Sequence, residues 1–205
     1  MRPEHPEGTK FTARFRRMGA LLRYLSLLVL FWLGLFLLQQ AAFVYFDTVR
    51  LSGITTEAIA YSFRRALPMD LATACYLTLP VALCGLILMF KEVRALRIGI
   101  RIFLVAMVVL SSFIHVADIG LFGAWGTKVN HKALSYLVYP EEAMHGATGA
   151  PVAQLLIILF AEVAIALLVL FRIDHLRSFR VEKSWAKWTA PVLVPALLLI
   201  GMRGG

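Results

Sequence analysis

The chain has 205 residues, of which 60% are hydrophobic and 16% charged; soluble domains run at about 45–50% and about 25%. A soluble fold of this size could not hide that much apolar surface, which argues against a soluble enzyme, a disordered tail or a disulfide scaffold and points to an integral membrane protein. The 21 Lys and Arg exceed the 12 Asp and Glu, for a formal net charge of +9. In a membrane protein that excess marks segments facing anionic lipid rather than nucleic acid.

Five apolar runs organise the chain. The first, Leu25 to Val44, holds no charge and has Gln39 and Gln40 near its far end. Arg14, Arg16, Arg17 and Arg23 precede it. They resemble the basic region of a signal peptide, but the run exceeds the roughly 7–15 apolar residues of such a peptide, so an uncleaved first span is expected. Met1 to Thr12, with Pro3, Pro6 and Gly8, reads as a loose tail, and residues 1–24 as a basic cytoplasmic segment. The second run is Leu71 to Phe90, opened by Pro68, Met69 and the intramembrane Asp70. Cys75 and Cys84 lie inside it, nine residues or roughly 13 Å of helix apart, which is too far for a mutual disulfide. The third is Ile102 to Phe122, interrupted by His115 and Asp118. The fourth is Val152 to Phe171, with Pro151 at its start and Glu162 near its middle. The fifth, from near Trp188 to Met202, is short for a span and contains Pro191 and Pro195.

The fold expected from these runs is an all-α integral membrane domain over residues 25–202, with five transmembrane helices. Residues 1–24, 91–101 and 172–187 carry fifteen Lys and Arg, whereas the alternate connections carry five: Arg50, Arg64, Arg65, Lys128 and Lys132. The bias places the N-terminus in the cytoplasm and, with five spans, the C-terminus outside.

In the first outer loop, Ile59, Phe63, Ala66 and Leu67 share a helical face, with Thr55 as a cap. An interfacial helix is the plainer reading of that segment. The sharper one has Arg64 or Arg65, the adjacent basic pair on that side, gripping a lipid phosphate. The second outer loop places Asp118 near the membrane boundary and Trp125 at headgroup depth, followed by Asn130. Arg64, Arg65, Asp118, Trp125 and Asn130 together form a candidate headgroup site.

His115 and Asp118 are three apart and share a helix face, which Phe122 and Trp125 continue. They either tie helix ends together or serve a functional site. Glu162 lies deepest of all the charges, beside Ala161, Ala164 and Ala166, which permit close helix packing. It reads as a buried interhelical hydrogen bond or, in a functional role, as a proton relay or substrate ligand.

The stretch Asp118-x-x-Leu121-Phe122-x-x-Trp125-Gly126-x-x-x-Asn130, followed by Leu134, Tyr136-Leu137 and Pro140, resembles the membrane domain of the lipoteichoic acid synthase-like family. These are phosphoglycerol transferases, or sulfatase-like proteins, of the alkaline phosphatase superfamily. Leu67-Pro68-Met69-Asp70-Leu71 is similar to the family's Asp-Leu opening of the second span, and Arg203-Gly204-Gly205 resembles the segment leaving the fifth. The resemblance covers about residues 20–205.

The resemblance implies a bacterial inner-membrane protein that anchors an extracellular catalytic domain and presents a phospholipid to it, in a phosphoglycerol or phosphoethanolamine transferase-like enzyme. It also implies that the threonine nucleophile and a divalent metal, usually manganese, belong to that domain, which would begin at about residues 203–205. Residues 1–205 alone carry no Gly-x-Ser-x-Gly elbow, His-Glu-x-x-His or Gly-rich phosphate loop, and are not expected to catalyse transfer. A fragment or a split gene is the corresponding expectation. The alternative is a small transporter or assembly subunit that uses Glu162, Asp118 and His115 inside the bundle.

Overall fold

The computed structural model describes residues 7–47, 53–91, 93–131, 152–175 and 186–203. Within them the chain is all-helical: α1 Glu7–Phe46, α2 Thr56–Phe90, α3 Arg94–Trp125, α4 Val152–His175 and α5 Ala186–Arg203. Leu134, Tyr136, Leu137 and Pro140, which contribute to the family resemblance, lie outside the described residues.

Four helices are long and apolar enough to cross a membrane, over Leu21–Phe46, Thr56–Leu88, Arg94–Gly123 and Val152–Asp174. An apolar run in lipid becomes a helix because only internal hydrogen bonds can satisfy its backbone there. The faces turned outward are apolar too: Leu30, Ile102, Phe160 and Ile200 are each more than 60% exposed. Such surfaces fit a hydrocarbon solvent and not water, and the chain reads as a multi-pass membrane protein. The fifth helix has 18 residues, and its described apolar part, Val194–Arg203, is shorter than a span.

Three boundaries differ from the sequence reading. First, α1 begins at Glu7, so the second half of the expected loose tail, Glu7 to Thr12, is helical. Pro3 and Pro6 precede that start, and no proline interrupts the next 40 residues. Second, α3 begins at Arg94, so the basic connection 91–101 is mostly the opening of a helix. Third, Thr56 to Phe90 is one helix of 35 residues that runs through Pro68 and Pro80. Thr55 caps it as expected, its Oγ1 accepting the Ala58 N–H at 3.3 Å. The segment expected as an interfacial helix is therefore helical and continuous with the second span. A proline removes one backbone donor, a loss that neighbouring groups in a transmembrane helix can absorb.

The chain divides into two compact units. The first comprises Met1–Gly34, Arg64–Leu104 and Val169–Gly205. Leu28, Trp32, Ala74, Thr78, Ala82 and Leu104 form its most buried positions. Helices approach closely here where a side chain is small: a Cβ on Gly85 would stand 3.3 Å from Leu21, and one on Gly201 would collide with the sulfur of Cys75. Thr78 turns its hydroxyl back to the Ala74 carbonyl at 2.7 Å, so a fully buried polar atom stays satisfied. Arg101 of α3 donates its Nε–H to Asp174 of α4 at 2.7 Å. The carboxylate is buried while the arginine side chain is 57% exposed.

The second unit comprises Leu35–Phe63 and Val105–Leu168. Its interior combines Leu35, Val108, Val116, Ile119 and Ala166 with the polar Gln39, Ser112, His115 and Glu162, all buried. A Cβ on Gly120 would lie 3.1 Å from Leu155, so α3 and α4 pack closely here.

Candidate functional site

Glu162 on α4 is the centre of a buried polar cluster in the second unit. One carboxylate oxygen, Oε1, accepts a hydrogen bond from the Gln39 side-chain amide of α1. The other, Oε2, lies 2.8 Å from Nδ1 of His115 on α3. A single proton lies between these two atoms, whether it belongs to the imidazole or to the carboxyl. Gln39 also donates to the Ser111 hydroxyl at 3.1 Å. Three helices are thus linked through one carboxyl group whose two oxygens are both engaged. The outer nitrogen of the ring, His115 Nε2, is buried without a hydrogen-bond partner among the described residues.

Helical geometry places these groups. Ser111 and His115 are four apart, hence one above the other on the same face of α3. Ser112, fully buried, borders the same carboxyl. Of the alanines expected to let neighbouring helices approach, Ala166 is buried one turn on from Glu162, whereas Ala161 and Ala164 are exposed. A buried carboxyl without partners is costly in any apolar setting, and this arrangement supplies them. Among the described residues, no group of three His, Cys, Asp or Glu side chains could hold a metal ion.

Asp118 shares a helix with His115 but has a separate task. Its Oδ1 accepts the backbone N–H of Val129 at 2.7 Å, eleven residues on. The α3 helix closes with the Gly126 N–H on the Phe122 carbonyl at 2.9 Å, and Gly126 takes φ 71°, the left-handed conformation that glycine tolerates best. The carboxylate then pins the returning loop. Phe122 stacks edge-on against Phe43 of α1 at 5.0 Å, and the Lys128 ammonium lies 4.3 Å from the centre of the Phe43 ring. Trp125 and Asn130, on either side of this turn, are exposed.

The other residues singled out from the sequence are placed as follows. Arg64 and Arg65 are exposed on α2 and Asp70 is half-buried on the same helix, all within the first unit, whereas Asp118, Trp125 and Asn130 belong to the second. Sequence reasoning grouped Glu162, Asp118 and His115 inside the bundle as one alternative, but it did not pair His115 with Glu162, did not separate Asp118 from them, and assigned Gln39 no role. The available signal was that Gln39, His115 and Glu162 each interrupt an otherwise apolar run.

The Asp118 pin makes a specific prediction. Asp118→Ala should speed trypsin cleavage at Lys128 in detergent several-fold, because the released Val129 amide lets the loop open locally. Asp118→Asn, which keeps an acceptor oxygen, should cleave close to the wild-type rate. Equal rates for Ala and wild type would show that the pin does not hold the loop.

No protein-family model, no curated protein and no solved structure matches this chain.

Proposed function

We propose that this chain is the membrane domain of a lipid-headgroup transferase-like enzyme of the lipoteichoic acid synthase-like class. In this reading it anchors an extracellular catalytic domain and presents phospholipid to it. All five helices cross a bacterial inner membrane, with the N-terminus in the cytoplasm, the C-terminus outside, and the start of α2 at the outer interface. The metal, manganese in this reading, is a component of the catalytic domain.

The observation that supports this reading is the turn after α3. Asp118, Phe122, Gly126 and the approach to Asn130, which carry the resemblance, form one local structure in which a carboxylate, a left-handed glycine and an aromatic contact act together. Such a turn suits a fixed platform at the membrane surface. The direct test is the reading frame downstream of the Gly205 codon. The proposal expects an open frame encoding a threonine nucleophile with Asp and His metal ligands. A stop codon in that place contradicts it.

As phosphate ligands in this reading, Arg64 and Arg65 of the first unit have their own expected outcome. By native mass spectrometry, Arg64→Ala/Arg65→Ala should retain phospholipid about ten- to a hundredfold less well, the effect of losing charge-assisted hydrogen bonds to phosphate. Retention equal to wild type in a folded double variant would remove the arginines from the site.

A second reading has one observation in its favour, the Gln39–Glu162–His115 cluster, since buried ionisable groups in spans often serve transport. In that reading the chain is a small transporter or assembly subunit. It predicts proton flux into liposomes that Glu162→Gln abolishes, whereas the headgroup-transferase reading predicts no such flux.

A further inference from the structure

The charges of the second unit single out one atom of the buried cluster. From Tyr24 to Phe46, α1 carries no charged side chain; from Ile102 to Trp125, α3 carries His115 and Asp118; from Val152 to Phe171, α4 carries Glu162. The Asp118 carboxylate is committed to the Val129 amide. Among the described residues of this unit, Lys128 is the one Lys or Arg, and it sits over the Phe43 ring in the turn after α3. Neutrality at Glu162 therefore has to come from protons. The carboxyl and its ring partner can hold two. The first lies between Oε2 and Nδ1, 2.8 Å apart. Oε1 accepts from the Gln39 amide and takes none. The second can go only on Nε2 of His115, where it makes the pair neutral whether the first belongs to the ring or to the carboxyl. Without it the pair carries one negative charge. Both residues are 7% exposed. A net charge so buried costs more than one N–H donor left without an acceptor.

We propose that the Glu162–His115 pair is a proton-binding site, neutral when loaded, and that His115 Nε2 is the atom at which its second proton binds and leaves. On release the Nε2–H bond breaks, its electron pair stays on the ring nitrogen, and the proton passes to water. The pair goes from neutral to singly negative. No link between the helices is lost, because Nδ1–H then donates to Oε2 and Oε1 still accepts from Gln39. The site can load and unload without dismantling the junction of α1, α3 and α4. Ser112, three residues before His115 and so on the same face of α3, has its Oγ buried without a hydrogen-bond partner among the described residues, as is Nε2. A hydroxyl that both donates and accepts suits the relay of a proton between the ring and water. The proposal concerns binding of the proton and holds under either reading of the chain's role, since it requires no flux across the membrane.

The experiment is solid-state NMR of the whole chain in lipid bilayers with isotope-labelled histidine. The chain has five histidines, and His5→Gln/His131→Gln/His145→Gln/His175→Gln leaves His115 as the one labelled ring. At neutral pH its Nε2 should show the chemical shift of a protonated nitrogen. Raising the pH should convert Nε2 to the unprotonated form and leave Nδ1 protonated, and lowering the pH again should restore Nε2. Glu162→Gln supplies the contrast. Its amide oxygen keeps the Gln39 N–H and its NH2 then faces Nδ1, so the ring proton sits on Nε2 and should stay there over the same pH range.

If Glu162→Gln fails to fold, the titration of the His115 ring beside its native Glu162 decides alone. A ring whose Nε2 is unprotonated at neutral pH, a ring left with Nδ1 unprotonated when the pH is raised, or one that keeps the Nε2 proton throughout the range in which the protein stays folded would each overturn the proposal. So would a folded Glu162→Gln whose Nε2 loses its proton.

Discussion

Glu162→Ala should lower the stability of the folded chain by about 2–4 kcal/mol, among the largest effects of any single polar substitution. Truncation leaves Nδ1 of His115 buried without its partner and takes from the Gln39 amide one of its two acceptors, Ser111 being the other, and a buried polar group left unsatisfied costs about 1–3 kcal/mol. The lower part of the range is favoured because helices separated in a membrane also find polar partners, which makes interhelical hydrogen bonds weaker than hydrocarbon transfer suggests. Replacing the whole group is a different matter. In Gln39→Leu/His115→Phe/Glu162→Leu only the half-buried Ser111 hydroxyl loses a partner, so most of the lost stability should return. Unfolding in detergent of the single and triple variants checks this. A triple variant as unstable as the sum of its parts would show that the cluster contributes more than mutual satisfaction of its members.

Gly201→Ala is the second substitution expected to have a large effect. Its new methyl would overlap the sulfur of Cys75, a buried side chain with little room to turn, so α5 must move from α2 or Cys75 must leave its rotamer. Overpacking of this kind costs about 1–3 kcal/mol. The second-site remedy follows from the same contact: Cys75→Ala removes the sulfur, and the double variant should recover most of the loss through a favourable coupling of about 0.5–3 kcal/mol. Thermal unfolding of the two single variants and the double variant provides the cycle. A Gly201→Ala protein with unchanged stability would show that α5 does not pack against α2 as closely as the structure has it.

The helices were legible in the sequence to the extent that their apolar runs were. Leu25 to Val44 and Val152 to Phe171 lie inside α1 and α4, because a run with one or no charge in lipid has few alternatives to a helix. The ends were less legible. Arg94, Arg97 and Arg101 read as a connection by charge, yet arginine is a good helix former and its side chain can reach water from the first turns of α3. Pro68 read as a boundary, yet α2 continues through it.

The buried cluster shows a different limit. Gln39 and Glu162 are 123 residues apart, and His115 lies 47 from Glu162. Periodicity relates residues on one helix and says nothing of which face of another helix they meet. His115 and Asp118, paired by their spacing of three, diverge: the ring turns to Glu162 and the carboxylate to the Val129 amide. The Asp118–Asn130 stretch was legible as a spacing of polar, aromatic and glycine residues, whereas the pinned left-handed turn that it forms required the backbone.

The measurement that bears most directly on the proposed role is headgroup transfer by the product of the whole reading frame, reconstituted in liposomes with labelled phosphatidylglycerol and manganese. The proposal predicts manganese-dependent release of diacylglycerol as the phosphoglycerol group passes to an acceptor. A purified, folded product that releases no diacylglycerol, and instead conducts protons in a manner abolished by Glu162→Gln, would contradict it and establish the transport reading.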